Sequence, residues 1–141
     1  MNSLETRTVQ LTIHNELSEV AQLRDAVDRL AEELKVPTRS LIQLQVALDE
    51  IVSNVIQYAW PSGGTHEFLV RVTLGPTAAK VEVVDDGMSF DPRQAPDPRE
   101  APEGRQTAIG GRGISMLKNL VDSIDYARVD GCNHTTLKKN W

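Results

Sequence analysis

The strongest constraint on the fold is a helical pattern from Thr38 to Tyr58 that is apolar around much of its circumference. Pro37 breaks the preceding pattern, and Thr38 is a candidate N-cap for this helix. Its apolar members are Leu41, Leu44, Ala47, Leu48, Ile51, Val52 and Val55. A helix that is apolar on so much of its surface is expected to be central and buried.

The segments on either side of this helix alternate between strand and helix spacing. Period-two alternation predicts strands over residues 6–13, 67–74, 80–85, 123–129 and 135–139. Apolar residues at steps of three or four predict an amphipathic helix over residues 17–34. A short helix is predicted over residues 114–121, and Asp130-Gly131 predicts a hairpin turn before the last strand. Strands that follow one another in sequence favour an α+β fold, a two-layer α/β sandwich with a mixed, mostly antiparallel sheet covered by helices on one face.

The helix predicted over residues 17–34 has a charged face opposite its apolar one. That face carries Arg24, Asp25, Asp28, Arg29, Glu32 and Glu33. Charges on an amphipathic helix are most often simply solvated, and a surface for a partner protein is the alternative.

Residues 86–111 show little periodicity and hold four of the seven prolines. Proline removes a backbone donor and breaks helices, so an alternative helix is excluded in this segment. A connection of such length inside one domain is usually functional. We therefore expect a lid over about residues 92–109.

Composition indicates one globular domain over residues 1–141, with 40% hydrophobic and 25% charged residues. The formal net charge of −5 gives no general attraction to nucleic acid. No apolar run approaches the roughly 20 residues of a membrane span, and the N-terminus lacks a secretory pattern. Cys132 is the only cysteine, which excludes an internal disulfide and a cysteine-based metal site. A cytoplasmic location is the default expectation.

Glu50 and Asn54 form the first polar motif that could do chemistry. They are four residues apart, so they project from one face of the long helix, one turn from each other. A buried carboxylate without a partner is costly, and a Mg²⁺ ion bridged to phosphates would supply one. The alternative is that both residues lie at the solvent edge of the helix or cap nearby backbone. Asp49 faces about 100° away and is secondary.

Asp85 and Gly87 form the second motif, at the end of a strand rich in valine. A simple turn explains most Asp-x-Gly sequences. The functional alternative is a carboxylate that accepts a hydrogen bond from an exocyclic amine such as adenine N6. In that case the glycine lets the base approach the backbone closely.

Gly110-Gly111-Arg112-Gly113 forms the third motif and precedes the short apolar helix. Glycines before a helix N-terminus expose backbone N–H groups to an anion. The sequence matches neither a P-loop nor a dinucleotide-binding fingerprint. A hinge for the lid is the alternative, compatible with anion binding, and Arg112 either contacts phosphate or faces water.

The three motifs, in this order, resemble those of the Bergerat-type (GHKL) ATP-binding superfamily with its histidine-kinase-like ATPase domain. Within it, the chain resembles the anti-sigma-factor serine/threonine kinases of bacterial partner-switching systems. The resemblance rests on three boxes, residues 47–54 with Tyr58-Ala59, residues 83–87 with 90–92, and residues 110–114 with Leu117 and Val121-Asp122. It extends over nearly the whole chain.

The resemblance implies a role for individual residues toward ATP and Mg²⁺. Asn54 would help to hold Mg²⁺, and Glu50 would be the general base toward an attacking hydroxyl. Asp85 would bind the adenine amine with Gly87 beneath the base, and either Thr135 or Thr136 would lie behind the adenine. The phosphate side would be formed by Gly111, Arg112, Gly113 and Ile114 as the lid closes. Ser89 and His134 depart from the pattern, since both stand where relatives often have glycine.

The resemblance also implies partners and an activity. The chain would be an ATP-dependent serine/threonine protein kinase and anti-sigma factor that phosphorylates an anti-anti-sigma (STAS-type) protein, sequesters a sigma factor and forms a homodimer. The alternative is a nucleotide-gated binding module of the same fold without kinase activity. A detached histidine kinase domain is disfavoured because the helix over residues 17–34 contains no histidine. Nucleic-acid binding is disfavoured by the acidic charge.

Overall fold

The computed structural model describes residues 5–94 and 117–141, which contain five strands and two long helices. Their bounds are β1 Arg7–His14, α1 Val20–Leu34, α2 Thr38–Tyr58, β2 Glu67–Leu74, β3 Ala78–Asp85, β4 Ser123–Val129 and β5 Cys132–Asn140. Short 3₁₀ turns occupy Leu17–Glu19 and Pro92–Gln94. Residues 117–120 are helical, as predicted for that part of the chain.

The five strands form one sheet in the order β1-β2-β3-β5-β4. Each of the four strand pairs in the described residues is antiparallel, so the sheet there is antiparallel throughout rather than mixed. β2–β3 and β4–β5 are hairpins, and β5 inserts next to β3 at the centre. In the second hairpin Asp130 and Gly131 both have positive φ, at 52° and 78°, which matches the predicted turn.

The core lies between one face of the sheet and the two helices. Alternate residues of β2 and β3 are buried, as period-two strands with one covered face require. From α1 the core takes Leu23, Val27, Leu30 and Ala31. From α2 it takes mainly Leu44, Ala47, Leu48, Ile51 and Val52. The α+β fold with two layers is therefore confirmed.

Two details at the ends of elements differ from the prediction. Thr38 is the first residue of α2 rather than its N-cap, and no described side chain caps the helix. The N-cap is Pro37, whose carbonyl accepts a hydrogen bond from the Leu41 N–H at 2.9 Å. β5 begins at Cys132, three residues before the predicted start, because Asn133 and His134 continue the pairing with β3 and Cys132 pairs with Val129 of β4.

Part of the charged face of α1 is used to hold α2. Arg24 forms an ion pair with Asp49, and Asp28 accepts a hydrogen bond from Gln45 Nε2 at 2.8 Å. Asp49 is therefore turned toward α1. Arg24 and Asp28 are therefore neither fully solvated nor wholly free to contact a partner protein.

Within the described residues, no helix is both long enough and apolar enough to cross a membrane.

Candidate functional site

A cleft opens where the C-terminal half of α2 faces the end of β3 and the start of β5. Its lining combines apolar side chains with a small polar group. The lining residues are Ile51, Asn54, Val55, Tyr58, Ala59, Asp85, Met88, Phe90, Pro92, Asn133 and Thr135. Met88 and Phe90 remain exposed at the rim. Mostly apolar clefts with a few polar groups are typical of small-molecule sites.

Asp85 is the buried carboxylate of this cleft, with only 5% of its surface exposed. Its Oδ1 accepts two hydrogen bonds, from the Gly87 backbone N–H at 2.9 Å and from Asn133 Nδ2 at 2.9 Å. No hydrogen bond from the described residues reaches Oδ2. One carboxylate oxygen is therefore saturated by the protein, and the other is available to a ligand.

Burial raises the pKa of Asp85 above its usual range. The hydrogen bonds from Asn133 and Gly87, and the positive charge of Arg128, act in the opposite direction but do not cancel the desolvation. The carboxyl is thus held at some cost in its charged form, which is a common property of functional groups in clefts.

Asn133 is the polar residue of the site that the sequence patterns missed. It lies directly opposite Asp85 in the β3–β5 register and is almost fully buried. A buried asparagine opposite a strand-end aspartate could have been found only by extending β5 back to the Asp130-Gly131 turn. Counting from that turn would then have placed residue 133 on the same face as Thr135.

Gly87 is close-packed against the end of α2. A Cβ at this position would lie 2.5 Å from the Ala59 carbonyl oxygen and 2.8 Å from the Ala59 carbonyl carbon. The same oxygen accepts a hydrogen bond from the Met88 N–H at 2.7 Å. Packing of the loop on the helix is therefore by itself sufficient to require glycine at this position. The close approach of a base to the Gly87 backbone stays a prediction.

The loop after β3 is held from two further sides. Arg128 Nη1 donates to the Gly87 carbonyl at 2.7 Å. Trp60 Nε1 donates to Asp86 Oδ1 at 3.1 Å, and the Trp60 indole stacks on His66 with ring centroids 4.6 Å apart. The loop that presents Asp85 is therefore fixed by α2, β4 and the segment after α2.

The two candidate threonines lie on opposite faces of β5. Thr135 is buried and lines the cleft beside Asn133, whereas Thr136 belongs to the alternate set that faces away from the helices. His134, also in the alternate set, is half-buried on that outer face. Of the two threonines, only Thr135 can contact a ligand in the cleft.

Asn54 and Glu50 occupy one face of α2, as their spacing predicts. Asn54 is 8% exposed and lines the cleft, and its Nδ2 has no hydrogen-bond partner in the part of the chain described. Glu50, half-buried one turn earlier, forms no ion pair or hydrogen bond with described residues. A buried amide without a partner is expensive unless a ligand or ion completes its bonding.

The remaining predicted site residues fall outside the described residues. These are Gly111, Arg112, Gly113 and Ile114, together with the lid from residue 95 onward. Pro92, at the start of the predicted lid, lines the cleft. Ser89 lies near the rim with its Oγ 3.3 Å from the Tyr126 hydroxyl.

The comparison with known families matches this arrangement. A family model of the histidine kinase-like ATPase domain matches residues 13–139, which include both long helices, β2, β3, β4 and nearly all of β5. The chain belongs to this family. The resemblance of the three motifs is thereby confirmed at the level of the ATPase domain.

Individual relatives of this ATPase domain agree with the assignment. It is 31% identical over 96 residues to the serine/threonine-protein kinase BtrW of Bordetella bronchiseptica, a match that spans 67% of this chain and 66% of the relative. Its fold is similar to the crystal structure of the RsbU and RsbW domains of Rv1364c from Mycobacterium tuberculosis, with a TM-score of 0.67 and 14% identity. That match covers 94% of this chain and 32% of the other, so the likeness concerns the fold of one domain.

Gly87→Ala is expected to lower the free energy of unfolding of the ATPase domain by about 1–3 kcal/mol, because the added methyl group collides with backbone atoms of Ala59. Urea unfolding followed by circular dichroism would measure the change. Ser89→Ala, on the same loop, is the control and should have a much smaller effect. An unchanged stability of Gly87→Ala would contradict the packing described for this loop.

Asp85→Asn is expected to raise the free energy of unfolding at neutral pH. A carboxyl whose pKa is higher in the folded protein than in the unfolded chain opposes folding when it is ionised. This penalty is complete above the raised pKa, and it disappears as the pH falls below about 3.9, the usual aspartate value. The stability difference between variant and wild type should therefore shrink from pH 8 toward pH 4. A difference that grows on acidification would show that the hydrogen bonds outweigh burial.

Proposed function

We propose that this ATPase domain is an ATP-dependent serine/threonine protein kinase and anti-sigma factor. It would phosphorylate an anti-anti-sigma partner with a STAS domain and, in its other binding state, sequester a sigma factor. The main support for a nucleotide site is the buried Asp85, whose Oδ1 is saturated by the protein and whose Oδ2 is open to a donor. The kinase assignment is supported by the similarity to BtrW, which is named as a serine/threonine-protein kinase.

Adenine recognition follows from the acceptor at Asp85. An ionised carboxylate only accepts hydrogen bonds, and the exocyclic amine of adenine only donates them toward such a group. The apolar walls formed by Ile51, Val55 and Met88 suit the faces of a planar base. Thr135 would complete the polar end of the pocket from β5.

The residues present fit a Mg²⁺ ion held jointly with phosphates. Asn54 has a buried amide with an unpartnered atom, and rotation about its last bond would present the oxygen in place of the nitrogen. Magnesium usually takes only one or two protein ligands when it binds together with substrate phosphates, whose charge it neutralises. A single amide with a neighbouring acid is therefore sufficient. By resemblance, Gly111, Arg112, Gly113 and Ile114 would contact the phosphates.

Glu50 is the proposed general base. It lies one helical turn from Asn54 and has no partner among the described residues, unlike Asp49, which is paired with Arg24. It would accept the proton of a serine or threonine hydroxyl on the partner as that oxygen attacks the γ-phosphorus of ATP. The bond from this phosphorus to the β,γ-bridging oxygen would break, and ADP would leave. Phosphoryl transfer depends mainly on positioning and charge stabilisation, so one acid in this position is adequate.

The partners and the assembly are inferred from the resemblance. Binding of the anti-anti-sigma protein would compete with binding of the sigma factor, and phosphorylation would release the former. A homodimer and a cytoplasmic location belong to the same proposal. The part of the charged α1 face that does not hold α2, Asp25, Arg29 and Glu32, is available as a partner surface.

A nucleotide-gated binding module without kinase activity is the second candidate. It is favoured by the absence of any described residue that orients Glu50, since catalytic bases are usually held by a further hydrogen bond. The two candidates share the nucleotide site and differ only in whether a phosphoryl group reaches the partner.

Calorimetric titration of ATP with Mg²⁺ into the wild type should show binding, and Asp85→Asn should reduce the affinity at least tenfold because the acceptor for the base is lost. Wild-type protein that is folded but does not bind ATP would reject both candidates.

Glu50→Ala should retain ATP binding while losing phosphoryl transfer to a STAS-domain partner, measured with γ-labelled ATP. Gln57→Ala, at an exposed position of α2, is the matched control and should retain both. Transfer that survives in Glu50→Ala would remove this residue from the role of base. Tight binding of the partner by the wild type without label would favour the binding module.

A further inference from the structure

Asn133 has a side chain in which each polar atom is engaged. Its Nδ2 donates to Asp85 Oδ1 at 2.9 Å and to the Met88 carbonyl at 2.8 Å. Its Oδ1 accepts from the Tyr126 hydroxyl and, at 3.4 Å, from the Phe90 N–H. An asparagine amide has two donor hydrogens and one acceptor oxygen, so this bonding leaves no freedom to the group.

The groups around Asn133 fix which way the amide points. Because the Met88 carbonyl can only accept and the Phe90 N–H can only donate, the amide nitrogen must face Asp85. In this orientation the Tyr126 hydroxyl is the closer of the two donors to Asn133 Oδ1 and holds the amide in place. A flipped amide would bring its oxygen against the carboxylate and would lose both donated hydrogen bonds. Ser89 Oγ lies 3.3 Å from the Tyr126 hydroxyl and can donate a hydrogen bond to it. The series of hydrogen bonds from Asp85 thus extends to the rim of the cleft.

The result is an asymmetric carboxylate. Two N–H donors, from Asn133 and Gly87, converge on Oδ1 of Asp85, and Oδ2 receives none from the described residues. The bond from Asn133 also fixes the rotation of the carboxylate plane. A ligand therefore meets a single acceptor at a fixed position.

We propose that Asn133 is a positioning residue that, oriented by Tyr126, makes Asp85 selective for purines with a 6-amino group over purines with a 6-oxo group. This inference rests on the proposed nucleotide site and adds a specificity determinant to it. A 6-amino group donates to the fixed Oδ2, whereas a 6-oxo group places an acceptor against it. Without Asn133 the carboxylate can rotate or take a proton, and the discrimination between the two groups weakens.

A purely structural role for Asn133 is the competing explanation, since it also holds Met88 and Phe90 of the loop. Loss of that support would weaken every nucleotide alike. Loss of the orienting bond to Asp85 would weaken only nucleotides with the 6-amino group. The ratio of the affinity for a 6-amino nucleotide to that for a 6-oxo nucleotide therefore distinguishes the positioning role from the purely structural role.

The test is calorimetric titration of the full chain with ATP and with inosine triphosphate, both with Mg²⁺. Asn133→Ala is expected to lower the affinity for ATP about tenfold or more and to change the affinity for inosine triphosphate less than about twofold. Tyr126→Phe should also lower the ratio of the affinity for ATP to the affinity for inosine triphosphate, by a smaller factor. Thr136→Val, on the outer face of the same strand, is the matched control and should leave both affinities unchanged.

An equal loss for both nucleotides, or no loss for ATP, would overturn the role of Asn133. If Asn133→Ala does not fold, Tyr126→Phe decides, because it removes one hydroxyl and an unchanged ratio would reject the proposal. Wild-type protein that binds neither nucleotide would reject the proposed function as well. Wild-type binding of ATP that depends on Asp85 but not on Asn133 would reject this inference alone.

Discussion

The pairing of β3 with β5 is the constraint on which the site depends. The register sets Asp85 opposite Asn133, and the period of two then brings Thr135 to the same cleft face. A shift by one residue would turn Asn133 and Thr135 outward and would leave the aspartate without its donor. The same pairing joins the two hairpins into one sheet, so fold and site share a single set of backbone hydrogen bonds.

Burial of Asp85 couples stability to function. The cleft needs a desolvated acceptor, because an acceptor exposed to water contributes little to the binding of a base. The same desolvation raises the pKa of Asp85 and opposes folding of the charged form. The two hydrogen bonds to Oδ1 and the positive charge of Arg128 limit this cost without occupying Oδ2. Such local destabilisation is common where proteins bind ligands.

Local periodicity was sufficient to predict most of the fold. The bounds of α2 and β2 follow from apolar spacing alone, and the hairpin turn at Asp130-Gly131 follows from the conformational preferences of its two residues. Asp85 and Asn54 could be identified as candidate site residues because a polar residue inside an apolar stretch calls for a structural or functional explanation. Asn133 could not, because its importance arises from a contact 48 positions away along the chain. The reason for Gly87 was also hidden, since it depends on where the end of α2 meets the loop.

The positions of the two tryptophans give the protein a built-in optical reporter. Trp60 stacks on His66 and donates to Asp86, next to the cleft, whereas Trp141 donates to the Pro76 carbonyl at the other end of β3. The two indoles thus lie at opposite ends of β3, a strand of eight residues that spans about 25 Å at roughly 3.3 Å per residue. Fluorescence of Trp60 is therefore sensitive to events around Asp85, and Trp141 provides a reference within the same molecule. Replacing either indole with phenylalanine would give a chain whose emission comes from one known place.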